Sequence, residues 1–193
     1  MQRRFVVISG LPGSGKTTLA LQLSPVLDLP VIDKDSILER LFSSKGVGDA
    51  EWRRVLSRES DMILQERAAA SEGAILVSFW HLPGMAADSG TPTAWLSELA
   101  GTIVNVHCVC GPEIAAERFF RRRRHSGHLD TARTYDDVLQ SLHAVARLEP
   151  IQIGSRIEVN TEKEIGLEML VRNINAALPR SISNEGIKAR LPY

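Results

Sequence analysis

Short apolar runs alternate with amphipathic stretches along most of the chain, and this alternation predicts strand and helix in repeated order. Phe5-Val-Val-Ile-Ser9 suits a buried strand, and Lys16-Thr-Thr-Leu-Ala-Leu-Gln-Leu23 reads as the first turns of a helix. Ser24-Pro25 predicts the end of that helix, because a residue before proline avoids helical geometry. A second strand is expected over 29–33, followed by a helix from about Ile37. Asp49 is placed to cap a long helix reaching about Ser71, with Trp52, Val55, Leu56, Met62 and Ile63 on its apolar side. After Gly73, the nearly continuous apolar run over 74–79 is what a central parallel strand requires. Further along, Thr91-Pro92 resembles a helix start, with the helix continuing to Ala100. A fourth strand is expected over 103–109, a helix over 112–124, an amphipathic helix over 135–148 and a fifth strand over 157–160. A capping box, Thr161-Glu-Lys-Glu164, predicts a last helix running to Leu178. Alternation of this kind dictates an α/β fold with helices packed over a mainly parallel sheet. One domain over 1–178 is expected, and the polar tail over 179–193 has no readable role.

The stretch between the first strand and first helix carries the clearest chemistry. Gly10, Leu11, Pro12, Gly13, Ser14, Gly15, Lys16 and Thr17, followed by Thr18, fit the pattern GxxxxGK[ST] in the strand-turn-helix setting it requires. The glycines allow a tight turn whose N–H groups converge on nucleotide phosphates at the positive end of a helix dipole. Lys16 supplies a cation to the β- and γ-phosphates, and the Thr17 hydroxyl is placed to hold Mg²⁺.

Other candidate residues gather at the expected carboxyl ends of the strands, where open α/β sheets bind ligands. Asp33 and Asp35, two apart in an extended segment, face the same way. Asp35 or Ser36 equally suits a helix N-cap. The third strand runs out as Ser78-Phe-Trp-His81 with no acid, so help with magnesium falls to Asp33, Asp35 or water. Trp80 and His81, with Leu82, are candidates for an apolar wall against a substrate ring, or for an ordinary packed loop. Arg118 and Arg122, four apart on one helix face, could clamp a triphosphate, though arginine near a helix carboxyl end also suits the dipole. Arg53, Arg54 and Arg58 form a solvated face, or one of them holds an anionic group on a substrate. The loop over 125–130 is placed to close with the arginines as a lid, and His125 and His128 lack partners at zinc spacing. Cys108 and Cys110 read as core residues.

Composition narrows the partners. With 23 basic and 23 acidic residues the formal charge is zero, which argues against a non-specific polyanion binder and does not favour long nucleic acid. The first residues lack a signal-peptide pattern and no run of about eighteen apolar residues exists, so a cytoplasmic protein without membrane segments is expected.

Taken together, GLPGSGKTT, the Asp-x-Asp after the second strand, Glu117-Arg-Phe-Phe-Arg-Arg122 and Val159-Asn-Thr161 before a helix look like the P-loop kinase family. The nearest likeness is to the "predicted kinase" group that includes polynucleotide 5′-hydroxyl kinases, chloramphenicol phosphotransferase and zeta-toxin-like kinases. The resemblance spans about residues 5–178. It implies a three-layer fold around a parallel five-stranded sheet in the order 2-3-1-4-5, with a lid around 118–133. It also implies ATP and Mg²⁺ as cofactors, and transfer of the γ-phosphate to a hydroxyl of a small molecule or nucleotide. By position in the motif, Asp35 corresponds to the base for the acceptor hydroxyl, with Asp33 a near rival, and Arg118 and Arg122 correspond to phosphate-binding lid arginines. The missing acid after Val77 departs from many relatives. It keeps open a second class, a nucleotide-binding ATPase or switch that passes phosphate only to water. The compact chain and the arginine lid favour transfer to an acceptor.

Overall fold

Strand β1 (Arg4–Ser9) sends Phe5 and Val7 into one apolar cluster and Val6 and Ile8 into another, all four fully buried. A strand covered on both faces has no use for polar alternation, which is why this run is apolar throughout. The computed structural model describes residues 2–178, so the tail set apart above lies outside the described residues. The remaining strands are β2 (Val31–Asp33), β3 (Gly73–Val77), β4 (Thr102–Val109) and β5 (Ser155–Asn160). They pair in the order β2-β3-β1-β4-β5, every neighbour parallel, as the family resemblance implies. All five carboxyl ends therefore meet at one edge of the sheet.

Helices α1 (Lys16–Leu27) and α6 (Leu167–Ala177) cover the Val6 and Ile8 face through Leu19, Leu23, Leu170 and Ile174. Helices α3 (Ala50–Ala70), α4 (Pro112–Arg121) and α5 (Tyr135–Ala146) cover the other through Leu64, Ala115, Phe119 and Leu142. Helix α2 (Lys34–Lys45) packs beside α3, with Leu38, Leu41, Phe42 and Leu56 between them. Cys108 and Cys110 are buried free thiols, and burial pushes Cys108 up to about 12. Among the described residues, no helix is long and apolar enough to cross a membrane.

Four local expectations give way to longer-range contacts. Pro25 lies inside α1, because it faces solvent and the buried Leu23 and Leu27 hold the last turn in place. The segment after Thr91 forms only a 3-10 turn over Ala94–Glu98, since Thr91 bridges to Trp80 and its N–H donates to Phe79 O at 2.7 Å. Helix α4 stops at Arg121 and Arg122 turns extended, three residues short of the expected end. The Thr161–Glu164 capping box does not form: Thr161 Oγ1 donates to Val109 O at 3.2 Å instead, and α6 begins at Leu167. On this packing, Leu23→Ala should cost about 2–5 kcal/mol in urea unfolding. The exposed Leu21→Ala on the same helix should stay within about 0.5 kcal/mol.

Candidate active site

The glycine loop turns as its sequence demands. Gly10, Gly13 and Gly15 have φ of 130°, 87° and 88°. At Gly13 an added Cβ would stand 2.2 Å from Ala115 O, so both conformation and space require glycine. Gly15 is the left-handed N-cap of α1, and the first intrahelical bond runs from Leu19 N to Gly15 O at 3.0 Å. The N–H groups of the first turn of α1 have no intrahelical partner and can face a ligand, while Ser14 N already donates to Leu11 O at 3.0 Å. Ser14 Oγ, within the loop, is buried with no hydrogen-bond partner. Lys16 Nζ donates to Gly10 O at 2.8 Å and Leu11 O at 2.7 Å, lying back over the loop, and burial pushes its ammonium below its ordinary value. A cradle of free donors with a desolvated cation fits a polyphosphate.

At the end of β2, the carboxylate of Asp33 joins two elements. Its Oδ1 accepts from Asp35 N at 3.0 Å, capping α2, and its Oδ2 accepts from Thr17 Oγ1 at 3.3 Å. The N-cap is thus Asp33, and α2 starts at Lys34 with Asp35 in its first turn. Burial and then the charge of Asp35 push the Asp33 carboxyl up to about 6. Thr17 and Asp33 offer two hard oxygen donors to one point, a set that fits Mg²⁺ completed by phosphate oxygens and water.

Asp35 keeps about half of its side chain open, 48%, and is ion-paired to Arg124, which is itself bonded to Asp130 at 3.1 Å. Burial opposes its ionisation, but Arg124, His128, Arg122 and Lys16 outweigh it and hold the carboxyl below its ordinary value. His128 bonds Glu39 at 3.0 Å, and Phe42 lies between His125 and His128, with centroids 5.4 and 5.5 Å away. The loop after α4 is thereby fastened to α2.

The two arginines expected to act as one clamp are separated. Arg118 reaches Thr161 O at 2.9 Å and lines a cleft of about 540 Å³ with Thr18, Gln22, Ile165 and Leu167, on the α1 side of the glycine loop. Arg122 lies past the helix end, over the Phe119 ring at 4.8 Å, with Asp35 and Lys16 among the charges that face it. Trp80 is 2% exposed and donates to Ile8 O at 2.8 Å, so it packs beneath the crevice and is not its wall. His81 Nδ1 is bound to Ser89 O at 2.7 Å, within its own loop.

Two features lie beyond the sequence reading. Arg124 pairs with Asp35 in place of the arginines singled out, a contact across 89 residues with no local signal except the arginine run. Below the glycine loop, Ser9 Oγ donates to Asn105 Oδ1 at 2.7 Å and lies 3.0 Å from His107 Nδ1, with Glu149 3.9 Å from His107 Nε2. Burial pushes Glu149 up to about 7 against the pull of Lys16. Polar residues inside the apolar β4 run were the available signal.

Comparison with known proteins fits this arrangement. The AAA domain family model matches residues 5–147, and the chain belongs to that family, a family of P-loop kinases. Gluconokinase from Gluconobacter oxydans (strain 621H) is 26% identical over 183 residues, 91% of this chain and 94% of that one. Cytidylate kinase from Pyrobaculum islandicum is 35% identical over 57 residues, and the chain spans only 31% of its length. A crystal structure from Chloroflexus aurantiacus j-10-fl superposes with a TM-score of 0.74 at 23% identity, over 92% of this chain and 100% of that one.

The loop geometry predicts that Lys16→Ala and Gly13→Ala each weaken Mg-ATP binding by on the order of a hundredfold or more, by calorimetry. Wild-type affinity in both would remove the phosphate cradle from the account.

Proposed function

We propose that the chain is an ATP-dependent phosphotransferase that moves the γ-phosphate of Mg-ATP to a hydroxyl of a small molecule or nucleotide. The observation that carries this reading is Asp35: a half-open carboxylate, kept ionised by cations, with Lys16 and the Thr17–Asp33 pair close by. An ATPase or switch has no need of such a group. The acid missing after β3 was the feature favouring that alternative, and Asp33 against Thr17 offers a substitute for it.

In this scheme the nucleotide base lies in the cleft beside Arg118 and the triphosphate over the glycine loop. Lys16 leaves the Gly10 and Leu11 carbonyls for the β- and γ-phosphates. Thr17 and Asp33 would hold Mg²⁺, which when bound neutralises charge on the phosphate oxygens. The acceptor hydroxyl approaches from the α2 side and hydrogen-bonds Asp35. Its oxygen forms a bond to the γ-phosphorus as the bond to the bridging oxygen breaks, ADP leaves with that electron pair, and the hydroxyl proton passes to Asp35. A carboxyl held below its ordinary value is a weak base, suited to orienting the hydroxyl and accepting the proton late in the transfer. Arg122 faces the moving group and stabilises its charge.

Asp35→Asn should therefore bind Mg-ATP nearly normally and lose transfer by roughly 10² to 10⁴, measured as ADP release with an acceptor present. Asp33→Asn should instead lose the magnesium-dependent part of ATP binding. Arg122→Ala should lower turnover by on the order of a hundredfold, while Arg118→Ala weakens ATP affinity more than turnover. If Asp35→Asn transfers normally, Asp35 is not the acceptor's base.

A further inference from the structure

Beneath the glycine loop lies a set of buried polar groups that the transfer reaction proposed above leaves unused. Ser9, the last residue of β1, stands opposite His107 in register, and Asn105 lies two residues back on the same face of β4. All three are buried. Their hydrogen bonds fix where the protons are. Asn105 gives an amide N–H to Ile151 O at 3.3 Å, which turns its Oδ1 toward Ser9, and the one hydroxyl proton of Ser9 goes to that oxygen at 2.7 Å. The 3.0 Å contact between Ser9 Oγ and His107 Nδ1 is then a hydrogen bond only with the proton on Nδ1. A neutral His107 therefore points a bare Nε2 at Glu149 Oε2, 3.9 Å away. The two side chains are only 8% and 12% exposed, so an ionised Glu149 sets two acceptors against each other in a place largely closed to water. One added proton removes the conflict, whether it sits on the carboxyl or makes an imidazolium beside a carboxylate.

The charges facing the pair come from α1 and the two strands at this edge. Lys16 faces both members, Arg156 and Glu158 of β5 face His107 and bond each other at 3.4 Å, and Cys108 and Cys110 face Glu149 as thiols that burial keeps protonated. Burial holds Glu149 up at about 7 and His107 below its ordinary value, so near neutral pH the pair stands close to the point at which it takes a proton. Of these charges, Lys16 is the one that a nucleotide would move. It rests on Gly10 O at 2.8 Å, one residue from Ser9. Once it turns to the β- and γ-phosphates its charge is answered there, and the triphosphate adds negative charge over the same loop. Both changes favour a protonated pair. We propose that His107 and Glu149 are positioning residues of the glycine loop, which take up one proton from solvent as a triphosphate fills the loop and in that form hold Ser9, and through it Gly10, in place beneath the phosphates. The proposal rests on the reading of the glycine loop as the phosphate seat and not on the role given to Asp35.

The test titrates a non-hydrolysable Mg-ATP analogue into the full chain by calorimetry, in pairs of buffers with unlike ionisation enthalpies, so that the difference in heat counts the protons exchanged. Binding should take up about half a proton at a pH of about 7.5 and almost none at about 5.5, where Glu149 is already protonated. Uptake on binding means that affinity falls as pH rises, and with the pair in the free chain titrating at about 7 the fall should begin there and reach about tenfold by a pH of about 9. Glu149→Gln keeps the shape of the protonated acid and removes its titration, so the uptake should vanish beyond what the nucleotide itself contributes, which is the same in every variant. Glu158→Gln, exposed on β5, should keep it. The wild-type chain alone gives a second reading by ¹⁵N NMR. At a pH of about 8 His107 should carry its proton on Nδ1, and filling the loop should move its Nε2 signal toward the protonated position. A free chain with the His107 proton on Nε2, or full uptake retained in a folded Glu149→Gln, overturns the proposal. Mg-ATP analogue bound with equal heats in both buffers at every pH overturns it too, and leaves the phosphate seat standing. No binding at all would contradict the phosphate seat, and the proposal with it.

Discussion

The crevice depends on the carboxylate of Asp33, whose two oxygens bind different elements. One caps α2 through Asp35 N and the other meets the Thr17 hydroxyl at the start of α1. Strand β2 is only three residues long, and this double contact ties the start of α2 directly to the glycine loop. Because the cap sets the first turn of α2, it also sets Asp35, which leaves the helix start toward the lid arginines. A single side chain thus fixes the start of α2, and with it Asp35, against the glycine loop. The cost is burial and then repulsion from Asp35, which together raise the Asp33 carboxyl, and any ligand that brings positive charge to the Thr17 side relieves it.

Much of this frame was legible because its signals are local. The glycine loop needs positive φ at fixed positions, the strand runs need no polar alternation, and the Asp49 cap of α3 is a single-residue signal, confirmed by its bond to Trp52 N at 2.9 Å. The strand order came from resemblance to a family and not from the pattern, since periodicity does not say which strands are neighbours. What could not be read was decided at long range. Thr161 gives its hydroxyl to Val109 O and not to a capping box, Thr91 abandons a helix for Trp80, and the arginine run splits because α4 ends at Arg121. In each case a partner tens of residues away or a helix terminus outweighs a weak local preference.

The division of the arginines gives the site its organisation. Arg118 lines the cleft beside α1, Arg122 lies over the Phe119 ring, and Arg124 pairs with Asp35. In the proposed scheme the nucleotide half would be built from the loop, α1 and the turn after β5. In that scheme the acceptor half would be built from α2 and the segment after α4, parts that can differ among proteins sharing this frame without disturbing the glycine loop. Under the proposed reading the acceptor's hydroxyl would compete with Arg124 for the Asp35 carboxylate.

The fate of the γ-phosphorus tests the central claim most directly. The chain would be incubated with Mg²⁺, ATP labelled at the γ-phosphate and a mixture of small hydroxyl compounds and nucleosides, and the label followed by chromatography. The account predicts label in an organic phosphate ester, formed in step with ADP. Label recovered only as inorganic phosphate, at the same rate with and without the mixture, would contradict it.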